Sequence, residues 1–238
     1  MGKLSGNMLK IIAMLSMLID HIGMYFFPKI TLLRIIGRLA FPIFAFMIAE
    51  GCRYTRNKLR YFLLIFVLAI IVQLVYYFYS GSLFMCVLVS FSLSIPMVYA
   101  LQYLKSTIYG EKSVRRISLS VLFVVLSVGA TIAVCLTLDV DYGIVGCFLP
   151  VFASILYAPD GANERVKVID TPWTRVLTFS VGCVVLSIVK GGVQIFALFA
   201  IPVLLLYSGK RGKWNIKYLF YLFYPLHLVV LDVIKGIV

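Results

Sequence analysis

Apolar and polar residues are separated into long blocks along this chain. A transmembrane helix needs about 20 consecutive, mostly apolar residues, and nine blocks approach or reach that length. They are residues 8–27, 32–51, 59–79, 83–104, 117–137, 142–158, 174–190, 193–208 and 217–236. The sixth and eighth blocks are short for a full span. The pattern therefore predicts an all-α, polytopic transmembrane helix bundle with about nine spans.

The composition strengthens this interpretation. The chain is 63% hydrophobic and only 13% charged, whereas soluble domains have roughly 45–50% apolar and 25% charged residues. So few charges cannot cover the surface of a globular protein. The longest polar stretch, residues 158–174, is too short to bury a core of its own. Residues 1–238 are thus predicted to form a single integral membrane domain, multi-pass in the cell membrane, whose first helix is retained because no cleavage site follows it.

The positive charges predict an orientation for the bundle. If the N-terminus is inside and there are nine spans, 17 of the 22 lysines and arginines fall on the inner side. Inner loops of membrane proteins carry such an excess, which favours an N-in, C-out topology. This bias, together with attraction to anionic lipid, accounts for the net charge of +13 without a nucleic-acid partner.

An ionisable residue at the bilayer centre raises the free energy of membrane insertion by at least about 2.5–3.5 kcal/mol. Asp20 and His21 lie side by side in the first span, with His21 about 20 Å from the inner end at Met8. In the second span, which runs back from outside, Arg38 lies about 9 Å below the outer end. Arg34 precedes it by four residues and shares its face. We therefore expect an acid, a histidine and two arginines to meet in the outer half of the bundle.

The second of the two histidines, His227, lies near the middle of the last span, two residues after Pro225. Proline lacks a backbone N–H and frees a carbonyl, so His227 could either line a cavity or bond that carbonyl. Histidine titrates near neutral pH and can exchange a proton with a nucleophile. The first-span pair thus predicts a buried acid–base site. The alternative is a structural Asp20–Arg38 ion pair beside a hydrogen-bonded His21.

Neighbouring residues on a helix diverge by about 100°, so Asp20 and His21 need not form a simple dyad. Asp20 could instead pair with Arg38 while His21 faces the cavity. Glu50 is a weaker candidate. It lies at the end of the second span, where we expect a helix end that is exposed to solvent. Three basic residues of the last predicted inner loop are further weak candidates: Lys210, Arg211 and Lys213. Their charges favour an inner location for the loop, and they could also bind the phosphates of a nucleotide.

Cysteines and nucleotide-binding motifs add no further site. The five cysteines have no metal-ligand or redox spacing and are expected to be packing residues: Cys52, Cys86, Cys135, Cys147 and Cys183. The chain contains no P-loop, GxGxxG or HExxH motif. No metal ion is therefore expected.

The segments that carry these residues resemble a known family. The stretches "LKIIAMLSMLIDHIG", "LLRIIGRLAFPIFAFMIAEGCRYTRN", "LYSGKRG" and "YLFYLFYPLHLV" are similar to sequences of the TraX family. That family is named for the enzyme that acetylates the N-terminus of conjugative pilin, and it is grouped with membrane acyltransferases that use acyl-CoA. The resemblance implies functional roles for Asp20, His21, Arg38, Pro42, Glu50 and His227.

The residues and the resemblance together lead us to expect an acetyl-CoA-dependent N- or O-acetyltransferase. Acetyl-CoA would dock at the inner basic loops, and the acceptor, a protein amine like the pilin N-terminus or a cell-surface carbohydrate, would arrive from outside. His21 would act as a general base or a transient acyl carrier, with His227 as a second proton carrier. Arg38 or Arg34 would stabilise the oxyanion or hold Asp20. A homodimer in the lipid bilayer is compatible with this scheme.

Two other classes of protein stay open at this point. A proton-coupled transporter or flippase could use Asp20, His21, Arg38 and His227 as a relay. The absence of a clear internal repeat argues against it, but weakly. A structural subunit of a larger complex is the least favoured, because four deep ionisable groups would then have no task.

Overall fold

A computed structural model describes residues 2–110, 113–213 and 217–237. Every regular element in these ranges is helical, so the all-α prediction is confirmed for them. The elements are α1 (Gly6–Tyr25), α2 (Thr31–Gly37), α3 (Ala40–Tyr54), α4 (Lys58–Ser80), α5 (Val87–Tyr109), α6 (Val114–Thr137), α7 (Gly143–Ser154), α8 (Glu164–Ile169), α9 (Pro172–Lys190), a 3₁₀ helix (Gly192–Phe199), α10 (Ala200–Leu205) and α11 (Lys217–Ile237). Lys112, one of the 17 basic residues predicted on the inner side, lies outside the described residues.

Six of the helical segments described are long and apolar enough to cross a membrane. They are Gly6–Tyr25, Thr31–Tyr54, Lys58–Phe78, Val87–Tyr109, Val114–Thr137 and Pro172–Lys190. In α6 only 11% of the most apolar 18-residue segment is buried inside the protein. Such a large exposed apolar surface suits lipid rather than water, which fits a multi-pass membrane protein. The count of nine spans and the N-in, C-out orientation stay predictions.

Three of the predicted spans have a different form in the structure. The sixth is α7, with only 12 residues, and the eighth is a 3₁₀ helix followed by the six residues of α10. The second predicted span is interrupted at residues 38–39, between α2 and α3. The N-terminal turn of α3 contains Pro42, a position where the missing N–H of proline is tolerated.

The chain divides into two compact units. The first, called unit 1 here, consists of the described parts of Met1–Met47 and Cys183–Val238. The second, unit 2, consists of the described parts of Ile48–Gly182.

In unit 1, the segment that follows α10 holds the start of α1. The N–H groups of Gly6 and Asn7 donate to the carbonyls of Lys210 and Arg211, at 2.8 and 2.9 Å. The Ser5 hydroxyl also accepts from the N–H of Met8 at 3.3 Å. Because the first N–H groups of a helix have no partner within the helix, these contacts stabilise α1 where it begins.

In unit 2, α5 packs against α4, α6 and α7. Small hydroxyl residues let these helices approach closely, as is common between membrane helices. The Ser94 hydroxyl donates to the carbonyls of Ser90 and Cys147, both at 2.7 Å, and the Ser90 hydroxyl donates to the carbonyl of Asp141 at 2.7 Å. These hydrogen bonds tie α5 to α7 and to the loop before it.

Candidate functional site

Unit 1 contains a cluster of one carboxylate and two arginines. Arg38 Nη2 contacts Asp20 Oδ1 at 2.7 Å and Oδ2 at 2.6 Å, and Arg34 Nη1 contacts Oδ2 at 3.0 Å. The side chains of Asp20 and Arg38 are only 14% and 15% exposed, and that of Arg34 is 30% exposed. The predicted pairing of Asp20 with Arg38 is confirmed. The cluster of three ionised groups carries one excess positive charge.

The break between α2 and α3 positions Arg38. The residue follows the last residue of α2, and its Nε donates to the carbonyl of Arg34 at 3.3 Å. Gly37 lets the two helices come close, because a Cβ at this position would collide with the Asp20 side chain. The hydroxyl of Ser16 on α1 also donates to the carbonyl of Ile36 on α2. These contacts hold α1 against α2 at the carboxylate.

The two histidines face each other in the same unit. The rings of His21 on α1 and His227 on α11 are 5.0 Å apart, centroid to centroid, and meet edge to face. Each ring places Nδ1 2.8 Å from the backbone carbonyl four residues earlier, that of Met17 or that of Phe223. A carbonyl can only accept, so Nδ1 carries the proton and Nε2 keeps the lone pair in the neutral ring. His227 Nε2 is buried and has no hydrogen-bond partner among the described residues.

Aromatic rings surround the histidine pair. Phe223 stacks on His227 with centroids 4.9 Å apart, and Tyr224 meets the same ring edge to face at 5.7 Å. Tyr25 stacks on His21 at 6.4 Å. Of the two alternatives for His227, the structure has a bond to a backbone carbonyl, but that carbonyl belongs to Phe223, whereas Pro225 frees the carbonyl of residue 221.

Sequence reasoning missed Gln194. Its side-chain Oε1 accepts from Arg38 Nη1 at 3.3 Å, and the residue is 7% exposed. The residue lies on the 3₁₀ helix that begins at Gly192; Gly192 and the preceding Gly191 both have positive φ. In the sequence it is a single amide in an apolar run, 156 residues after Arg38, and only the packed structure brings the two together.

Glu50 is not at a solvated helix end, so that expectation is wrong. It lies in unit 2, is 3% exposed and forms an ion pair with Arg175, which is itself buried. Asp170 joins this network through Arg175 Nε at 3.4 Å and through Arg53 Nη2 at 2.5 Å. Burial of Glu50 and Arg175 makes the pairing obligatory, because an unpaired charge there would be strongly destabilising.

The basic residues of the late loop lie at the opposite end of α1 from Asp20 and His21. Lys210, Arg211 and Lys213 are exposed, and the backbone of this loop is bonded to the start of α1. The 15 residues from Gly6 to His21 correspond to about 22 Å along the helix axis.

The structure also brings together two cysteines that their spacing does not suggest as a pair. The thiol sulfurs of Cys135 on α6 and Cys147 on α7 are 3.8 Å apart. Both thiols are free, so the two residues pack against each other. Among the residues described, no three His, Cys, Asp or Glu side chains are grouped as ligands for a metal ion.

Comparison with known proteins places this geometry in context. The family described as TraX protein matches residues 5–235. A probable fimbrial assembly protein, FimC of serogroup H1 from Dichelobacter nodosus, is 27% identical over 247 aligned positions, which cover 95% of this chain and 94% of the relative. An uncharacterized protein of Rickettsia prowazekii (strain Madrid E) is 44% identical over 54 residues, covering 23% of this chain and 21% of that protein. No solved structure matches.

The family match includes both ends of the chain, where α1, α2 and α11 bring Asp20, His21, Arg38 and His227 together. Three of the four segments that resemble the family contain these residues. This chain belongs to the TraX family.

Proposed function

We propose that the protein is a membrane acyltransferase that moves an acetyl group from acetyl-CoA to an amine or hydroxyl acceptor. The observation that supports this most is the pair of facing histidines, each with Nε2 as its lone-pair atom, beside a carboxylate held by two arginines. Family membership adds support, as does the relative named as a probable fimbrial assembly protein. A pilin-like N-terminal amine is therefore a suitable acceptor, with a cell-surface carbohydrate as the other class.

In this scheme His21 is the general base. Its Nδ1–H is held by the carbonyl of Met17, so Nε2 would take the proton from the acceptor as the acceptor nitrogen or oxygen attacks the thioester carbon. The C–S bond then breaks, and the proton returns from His21 to the leaving thiolate of CoA. Alternatively, Nε2 would itself attack the thioester carbon, the C–S bond would break to release the CoA thiolate, and the acetyl group would stay on Nε2 until the acceptor displaces it and gives up its proton.

The surrounding groups have supporting tasks. Asp20 adjoins His21 in the sequence, and its negative charge would offset part of the repulsion between the two arginines and the imidazolium that forms during proton transfer. Arg38 and Arg34 hold that carboxylate in place. His227 would act as the second proton carrier, because its ring lies 5.0 Å from that of His21.

The donor would bind at the exposed basic residues Lys210, Arg211 and Lys213, whose charges suit the phosphates of CoA. From there an extended pantetheine arm would have to follow α1 for about 22 Å to reach His21. Glu50 lies in the ion-pair network of unit 2, and we assign it a structural task rather than contact with substrate.

The test uses purified protein in lipid nanodiscs with acetyl-CoA labelled in the acetyl group. We expect slow release of labelled acetate without an acceptor and faster transfer when a peptide with a free N-terminal amine is added. A His21→Ala variant that is still folded should do neither. If the wild-type protein neither binds nor turns over acetyl-CoA but carries protons into liposomes, the protein is a transporter and the proposal is wrong.

A further inference from the structure

Unit 1 contains a buried hydrogen-bond donor that the histidine chemistry does not use. We propose that the side-chain amide of Gln194 donates to the carbonyl oxygen of the acetyl group and stabilises the negative charge that develops there during transfer. This inference rests on the proposed acyltransferase function and adds a catalytic residue to it.

The orientation of the amide follows from its neighbour. Arg38 has only donors, so the Gln194 atom that faces Arg38 Nη1 at 3.3 Å must be the oxygen, Oε1. The other terminal atom is then the NH₂ nitrogen, Nε2. This nitrogen is buried and has no hydrogen-bond partner among the described residues. A buried donor is seldom left without a partner, so a bound group is expected to satisfy it.

Hydrogen bonds also hold the backbone of Gln194. Its N–H donates to the carbonyl of Gly191 at 3.1 Å, and its own carbonyl accepts from the hydroxyl of Ser187 at 3.5 Å. Gly191 and Gly192 have φ of 61° and 53°, which residues with a Cβ rarely adopt. The amide is therefore fixed before any substrate arrives, and such fixed donors are effective because they need no reorganisation during the reaction.

The Gln194 amide adds a donor to this cluster. Arg38 already donates to Asp20, to the carbonyl of Arg34 and to Gln194, whereas the NH₂ of Gln194 has no hydrogen-bond partner among the described residues. The histidines supply lone pairs, whereas Gln194 supplies N–H groups. Acyl transfer needs both: a base for the proton of the nucleophile and a donor for the carbonyl oxygen. When the nucleophile bonds to the carbonyl carbon, the C=O electron pair moves to oxygen, and it returns when the C–S bond breaks.

Two substitutions separate the donor from the rest of the side chain. Gln194→Glu keeps the shape and can still accept from Arg38, but it loses the N–H groups. Gln194→Met removes both polar atoms. We expect each variant to lower kcat by about 100- to 1,000-fold, the loss typical of one oxyanion donor. The inhibition constant of free CoA should stay at its wild-type value, because CoA has no acetyl carbonyl to receive the bond.

The matched control is Ile195→Leu, an exposed neighbour on the same 3₁₀ helix, which should turn over like wild type. Thermal unfolding and gel filtration report whether each variant is folded. Wild-type kcat in a folded Gln194→Glu variant overturns the role of the amide while leaving the acyltransferase proposal intact. Equal losses in kcat and in CoA affinity also overturn it, since they indicate a merely structural glutamine. Absence of acetyl transfer by the wild-type protein overturns the proposed function and this inference together.

Discussion

The hydrogen bond from His21 Nδ1 to the carbonyl of Met17 decides which nitrogen of the ring can act. The same constraint applies to His227, whose Nδ1 faces the carbonyl of Phe223. Both rings thus offer Nε2. They differ in setting, because only His21 follows a carboxylate that two arginines hold. His227 is also the more deeply buried of the two rings, so at the scale of residues we propose His21 as the base and His227 as its partner.

Replacing His21 with Ala should lower transfer by at least about 100-fold, because general base catalysis contributes that much or more. His227→Ala should lower it less, since that ring assists rather than takes the first proton. Initial rates with labelled acetyl-CoA measure both effects, with gel filtration to show that the variants are folded. Wild-type turnover by folded His21→Ala protein would contradict the assignment of the base.

Replacing Arg38 with Lys should impair transfer nearly as much as replacing it with Ala, by about 100-fold. One ammonium on a flexible stem cannot bind Asp20, the Arg34 carbonyl and Gln194 at the same time, as the guanidinium does. Arg34→Lys is the matched control and should lower the transfer rate less. Arg34 is more exposed than Arg38, and within the cluster its side chain contacts only Asp20. Equal kcat for wild type and Arg38→Lys would show that charge alone is needed.

At the scale of elements, the site depends on how closely α2 lies against α1. Residues 32–51 form one mostly apolar block in the sequence, which predicted one helix, yet the structure has a break at Arg38 and Leu39. Hydrophobicity alone does not reveal such a break, because apolar residues lie on both sides of it. The signal that was available is local: Gly37 immediately before the break and Pro42 in the first turn of the next helix.

Gly37→Ala should destabilise the protein by about 1–3 kcal/mol, as overpacking does, and should reduce transfer. The added Cβ would collide with Asp20, so α1 and α2 would have to separate at the carboxylate. Gly129→Ala on α6 is the control, because a Cβ there meets nothing within 4 Å. Thermal unfolding and transfer rates measured on both variants test this. Equal behaviour of the two variants would show that the close approach is not needed.

The ion pair between Glu50 and Arg175 predicts a second stability effect, in unit 2. Removing either partner alone, by Glu50→Ala or Arg175→Ala, should cost about 3–5 kcal/mol, because the other charge is left buried without its partner. The double variant should lose less free energy of unfolding than the sum of the losses of the two single variants. Denaturant titration in detergent measures the four proteins of this cycle.

The exposed pair Glu164 and Lys167 serves as the control for that cycle. Its removal should leave the unfolding midpoint unchanged, because ion pairs at an exposed surface contribute little. Additive losses for the buried pair would mean that Glu50 and Arg175 do not stabilise each other.

At the scale of the whole molecule, hydropathy and charge predicted the class of protein and most helices, because burial in lipid acts on long stretches of chain. Asp20, His21, Arg38 and His227 could also be found, since an ionisable group is conspicuous in an apolar span. Gln194 and the Cys135–Cys147 contact could not, because each depends on which elements pack together. The burial of Glu50 was missed for the same reason.

The topology of the whole chain sets the side from which each substrate arrives. With the N-terminus inside and nine spans, the loop that contains Ser208 faces the cytoplasm and the one that contains Ser82 faces outward, because the inner side then holds most of the positive charge. Single cysteines at these two positions, in a background without the five native cysteines, report the topology. An impermeant thiol reagent added to intact cells should label Ser82→Cys and leave Ser208→Cys unlabelled until the membrane is opened. The reverse pattern would place Lys210, Arg211 and Lys213 outside, where acetyl-CoA is absent, and would overturn donor binding at that loop.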